Sequence, residues 1–202
     1  MSTTCECHQI AQSAMPERTL KILLYVNIIM FLAELIVGLL ADSAGVLADS
    51  LDMLADALVY GSALYAMGKA ERIKIFAARA SGVFQVLLAA SIFADAVRRA
   101  VFGSEPQSLL MLAVSVVALA ANAYCFILLS RQRNREVHIE ASWIFTRSDV
   151  VANTGVILAA MLVQVTQSRW PDLAVGAAIS LFVLYSGFLI LVQSAKKVSC
   201  EL

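Results

Sequence analysis

Six apolar stretches of about 20 residues each, joined by short polar connections, leave this chain little choice of architecture. They run from Leu20 to Leu40, Ala44 to Met67, Ala80 to Phe102, Leu109 to Leu129, Ser142 to Val165 and Leu173 to Gln193. At 1.5 Å per residue, a helix of that length spans about 30 Å, the thickness of a bilayer's hydrocarbon core. Composition agrees: 60% of the 202 residues are hydrophobic and only 15% are charged, too few to coat a soluble domain. The predicted fold is all-α, a polytopic membrane protein with a six-transmembrane-helix bundle.

Because Asp42 and Ser43 alone join the first two stretches and Arg131 to Glu140 the fourth and fifth, no room remains for a folded soluble insert. The expected organisation is a cytoplasmic tail over residues 1–17, a membrane domain over 18–195 and a short tail over 196–202. There is no fixed-period repeat, and Pro106 and Pro171 fall in predicted loops. Arg18 and Lys21 precede the first stretch as they would a signal peptide. That stretch is too long for one and runs directly into a second span.

The basic residues set the orientation. Arg18, Lys21, Lys69, Arg72, Lys74, Arg79, Arg131, Arg133, Arg135, Lys196 and Lys197 fall on one side, and only Arg98, Arg99 and Arg169 on the other. By the positive-inside rule both termini are cytoplasmic. Arg147, near the start of the fifth span, can snorkel to the same interface. The net charge of zero says nothing about nucleic acid, because the basic residues are spread as a topology signal rather than a groove-lining patch, and no nucleic-acid partner is expected.

Acidic residues interrupt two of the apolar stretches: Asp49, Asp52 and Asp56 in the second, Asp149 in the fifth. Placing an aspartate at a helix centre in lipid costs about 2.5–3.5 kcal/mol, so several persist only around a shared cation, protons or a wet path. The i, i+3, i+7 spacing puts Asp49, Asp52 and Asp56 on one face, and like charges at i, i+4 demand a proton or a metal between them. From helical rise, Asp52 lies about 12 Å and Asp56 about 18 Å from the outer end of their span, while Asp149 lies about 20 Å from the outer side of its own. Asp56 and Asp149 therefore share a layer, and Asn153 reaches from one turn beyond Asp149 toward Asp52. Four oxygen-bearing side chains on two helices can surround one divalent cation.

The segment Asp42-Ser-Ala-Gly-Val-Leu-Ala-Asp-Ser-Leu-Asp-Met-Leu-Ala-Asp56, with Ser148-Asp-Val-Val-Ala-Asn-Thr-Gly-Val-Ile-Leu-Ala-Ala160, resembles the second and fifth helices of the cation diffusion facilitator family. Asn27 and Glu34 in the first span, the Arg79 to Arg99 stretch, and Pro171-Asp-Leu-Ala-Val-Gly176 add to the resemblance, which covers about Lys21 to Gln193. It implies a six-helix transporter of zinc or a related divalent metal (cadmium, cobalt, manganese or iron), working as a cation/proton antiporter with a tetrahedral site in the bilayer. The family's i, i+4 ligand pair in helix two falls on Asp52 and Asp56. In helix five the family commonly has His or Asp four residues before the Asp. Here Phe145 stands before Asp149, leaving Asn153 or a water to complete the shell. An oxygen-rich set is harder than the usual zinc site, although zinc accepts carboxylates.

Two further departures bear on partners. Many relatives continue into a cytoplasmic metal-binding domain, whereas here Lys196-Lys-Val-Ser-Cys-Glu-Leu202 follows the last span, so a short form is expected with a homodimer formed through its membrane helices. The family's histidine-rich loop is replaced by Arg131-Gln-Arg-Asn-Arg-Glu-Val-His138. At the N-terminus Cys5, Cys7 and His8 could capture a soft metal ion. The plainer reading is a tail whose cysteines stay reduced.

The other polar positions also have plain readings. Asp49 either lines the outer mouth or hydrogen-bonds a neighbouring helix; Asn27 and Glu34 share a face, and Glu34 either joins the ion path or pairs with a base at the outer boundary. Asp95 with Arg98 and Arg99 reads as an interfacial salt-bridge cluster. The expected function is efflux of a divalent cation, zinc favoured, from the cytoplasm across the cell (inner) membrane in exchange for protons. Asp52, Asp56, Asp149 and Asn153 are the ligands, with Asp49, Asn27, Glu34 and the Cys5, Cys7, His8 set as accessory candidates. A non-transporting scaffold or metal sensor on the same frame is the alternative. No nucleotide-binding or hydrolase motif is present, so neither a cofactor nor an enzymatic activity is expected.

Overall fold

The computed structural model describes residues 17–67, 69–130 and 139–201, and among them the chain is helical with no strand. In chain order the elements are α1 (Glu17–Leu40), α2 (Ala44–Ala66), α3 (Glu71–Phe102), α4 (Ser108–Ser130), α5 (Ile139–Thr166) and α6 (Trp170–Glu201). All six expected spans are present as helices. Five are long and apolar enough to cross a membrane. The sixth, α2, carries the three aspartates and packs against α1, α3, α5 and α6, so its polar side chains meet protein rather than lipid.

Several helices outrun the apolar stretches that nucleate them. Where hydropathy places the third span at Ala80, α3 begins at Glu71; α6 runs past Gln193 to Glu201. The added residues include good helix formers such as Glu71, Arg72 and Lys74, with no proline among them, so the hydrogen-bond ladder continues after the hydrocarbon ends. At 32 residues, α3 and α6 are each about 48 Å long, well beyond the lipid core.

Helix α1 shows how the bundle sorts its side chains. Leu23, Asn27, Met30, Glu34 and Gly38 follow one another at helical spacing along its buried face. Tyr25, Ile29, Leu32, Ile36 and Leu39 form the exposed face, where lipid is the solvent. In lipid the apolar surface gains little by leaving its surroundings, so packing and polar contacts hold helices together. Small residues accordingly line the tight crossings. A Cβ on Gly82 would sit 3.0 Å from Leu191 Cδ2, and one on Gly187 would sit 3.0 Å from Val86 Cγ2, which lets α3 and α6 approach closely. Gln85 Nε2 adds a bond to the Val183 carbonyl at 3.3 Å across the same seam.

The helix ends around Asp42 are bound to one another. Asp42, at φ +50°, turns the chain between α1 and α2, and the buried Arg99 guanidinium grips both its carbonyl (2.9 Å) and its carboxylate. The second Asp42 oxygen accepts from Glu105 N at 2.8 Å, and Gln107 N donates to the Ala41 carbonyl at 2.8 Å. Arg98 and Arg99 both bind Asp95, forming the expected cluster at the end of α3.

Candidate metal centre

The start of α2 fixes the position of its carboxylates. Ser43 has extended backbone, and its Oγ accepts from Val46 N at 3.1 Å, an N-cap of the ordinary kind. The same hydroxyl donates to Asp172 at 2.6 Å, and the Asp172 carboxylate accepts from Ala44 N (2.8 Å) and Gly45 N (2.9 Å). A carboxylate from the first turn of α6 thus satisfies two of the orphan amides of α2 and lies on the positive end of its dipole. Gly176, one turn along α6, makes the approach feasible: a Cβ there would fall 2.7 Å from the carbonyl carbon and oxygen of Ala44. Pro171 to Gly176 contributed to the family resemblance, yet the capping role of Asp172 was not assigned from sequence, because its partners are 127 to 129 residues away.

Beyond that cap, α2 presents its aspartates to α1 and α5. Asp49 faces Glu34 of α1, and Asp52 faces Asp149 of α5. Asp56, one turn further in and half-buried, is 3.5 Å from the Tyr60 hydroxyl and close enough to Asp149 to act on its charge. Tyr60 also neighbours the buried Cys125 thiol of α4. Sequence reasoning assigned no role to either. Asn153 donates from Nδ2 to the Asp149 carbonyl at 2.9 Å and reaches Asp49 Oδ1 at 3.4 Å, while its Oδ1 is buried without a partner. Asn27 donates to the Leu23 carbonyl at 2.9 Å, and its Oδ1 is likewise unpartnered.

The structure therefore brings Asp49, Asp52, Asp56, Asp149 and Asn153 into one region between α2 and α5, with Glu34 joining from α1. They meet as carboxyl pairs. Among the described residues, no three His, Cys, Asp or Glu side chains are gathered closely enough to hold a metal ion. Nor does any Lys or Arg among the described residues form an ion pair with these acids; the pairs present involve Glu17, Asp42 and Asp95. Two facing carboxylates in a low dielectric repel unless a proton or a cation lies between them, which is the chemistry expected of an ion-exchanging site. Cys5, Cys7, His8 and the Arg131 to His138 loop lie outside the described residues, as do the side chains of Phe145 and Arg147.

Comparison with known proteins gives this arrangement a context. The chain is 26% identical over 190 residues to the metal cation efflux system protein CzcD of Cupriavidus metallidurans, covering 88% of this chain and 60% of that protein. It is 26% identical over 180 residues to the cation efflux system protein CzcD of an Alcaligenes species, covering 83% and 57%. A cadmium, cobalt and zinc/H(+)-K(+) antiporter of Bacillus velezensis is 29% identical over 120 residues, covering 58% and 38%. The chain thus spans from just over a third to three-fifths of the length of these relatives. The profile of the cation efflux transmembrane domain matches residues 20–197, nearly the whole of the helical bundle, and the chain belongs to that family, the cation diffusion facilitators.

Proposed function

We propose that this protein exports a divalent metal cation from the cytoplasm in exchange for protons. Asp52, Asp56 and Asp149 are its ligands, and Asn153 supplies the fourth oxygen. The observation that carries this reading is the meeting of Asp52 and Asp149 across α2 and α5, with no basic side chain paired to either among the described residues. A pair so placed balances the charge of one dication or takes up protons in its stead, and alternating access of the bundle then couples the two fluxes. One relative is named for cadmium, cobalt and zinc, and zinc is the favoured cargo. On the same reading the protein lies in the cell membrane with both termini cytoplasmic, and two copies pair through their membrane helices.

The test is metal uptake by the purified protein in liposomes carrying an imposed proton gradient, with zinc, cadmium, cobalt, manganese and iron compared. Uptake that collapses when the gradient is dissipated supports antiport. No uptake of any of these metals would sink the transporter reading in favour of a scaffold or sensor, to which the absence of a closed ligand cluster among the described residues gives some weight.

A further inference from the structure

Glu34 and Asp49 take no part in the proposed cargo site, yet they are fully buried, each with 0% of its surface exposed. They lie outward of Asp52 on the export reading, Glu34 about 9 Å from the end of α1 and Asp49 about 7.5 Å from the start of α2 by helical rise. Both carboxylate oxygens of Glu34 and Oδ2 of Asp49 have no hydrogen-bond partner, although the two groups face each other. Asn153 adjoins Asp49. Its nitrogen makes both bonds, to the Asp149 carbonyl and to Asp49, so the buried atom left without a partner is the carboxamide oxygen, carried on the same amide that reaches Asp49. Buried acceptors without a donor are rare in folded proteins and point to an absent ion or water. A salt bridge would be the plain explanation, but no basic side chain among the described residues pairs with either acid.

We infer that Glu34, Asp49 and the Asn153 carboxamide oxygen form a second divalent-cation position, one step outward of the cargo ligands, through which the ion leaves. The direction of travel rests on the export reading; the binding position rests on the geometry alone. Two carboxylates and an amide oxygen neutralise a dication with hard donors, a set that suits manganese as well as zinc. Asp49 precedes Asp52 by less than one turn, about 4.5 Å of helical rise, so two dications would repel strongly and the positions fill in turn. Asn153, bonded to the Asp149 backbone and touching Asp49, spans the gap between them.

The experiment uses the full chain in lipid nanodiscs and manganese, which is seen directly by electron paramagnetic resonance and has little affinity for thiols. With Asp52→Asn, Asp56→Asn and Asp149→Asn combined, one bound ion per chain is expected to remain, and adding Glu34→Gln or Asp49→Asn is expected to remove it. A triple variant that binds no manganese, or one that keeps its ion after Glu34→Gln, overturns the second position and leaves the cargo site standing. Conversely, if the triple variant binds with the parent's affinity, the cargo-site reading fails by itself. Should the triple variant not fold, Glu34→Gln alone in liposomes decides the matter: slowed efflux with unchanged manganese affinity is expected, and efflux at the parent's rate overturns the inference.

Discussion

At the scale of single residues, charge in the wrong solvent was the most legible signal. Asp52, Asp56 and Asp149 stand out because nothing in an apolar helix excuses them, and the structure brings them into one region. Exchanging any of them for Ala should abolish transport while the protein still inserts, since an aspartate at a helix centre costs about 2.5–3.5 kcal/mol to insert. Uptake by proteoliposomes, beside the amount recovered in membranes, checks this; parent-like uptake in one variant removes that residue from the site. Asn153 is a finer test. Asn153→Ala should weaken metal binding, and Phe145→His, by adding an imidazole one turn before Asp149, should raise zinc affinity relative to manganese. Calorimetric titration of both variants with both metals measures it, and an unchanged ratio together with parent-like binding would assign the fourth ligand elsewhere. Sequence could not show that Glu34 faces Asp49, because helical spacing fixes a residue's face but not which helix it meets.

Among the elements, hydropathy located every helix and misplaced several ends. It reports where lipid stops, whereas a helix stops where its hydrogen-bond ladder loses a residue able to continue it, so α3 and α6 run on through charged turns. The junction of α6 with α2 was hidden more deeply, since Asp172 and its amide partners lie at opposite ends of the chain. Asp172→Ala leaves the first amides of α2 and the Ser43 hydroxyl to find other partners. It should destabilise the protein by about 1–3 kcal/mol. Gly176→Ala sets a methyl against the Ala44 backbone, which cannot swing aside as a side chain can, and should cost a similar amount, about 1–3 kcal/mol. Thermal unfolding in detergent, followed by loss of the monodisperse fraction, tests both; a midpoint unchanged in Asp172→Ala would show that the cap adds no stability.

The molecule as a whole is oriented by its basic residues, and that expectation is open to direct test. After replacement of the native cysteines, single cysteines at positions 5 and 200 should resist an impermeant reagent in intact cells, whereas Gln107→Cys, beside the outer connection of α3 to α4, should react. Labelling of either tail would reverse the orientation and with it the direction of transport. The pinned start of α2 also bears on how such a bundle can open. An axle held at one end by Asp172 and seated against Gly176 must break those contacts to slide but keeps them if it swings. Over the 23 residues of α2, a swing of about 10° carries the far end through about 6 Å, the width of a path for a partly hydrated ion, while the pinned end hardly moves. The rim where α2 begins would then act as the fulcrum of a pair of tongs whose jaws are the opposite halves of the helices.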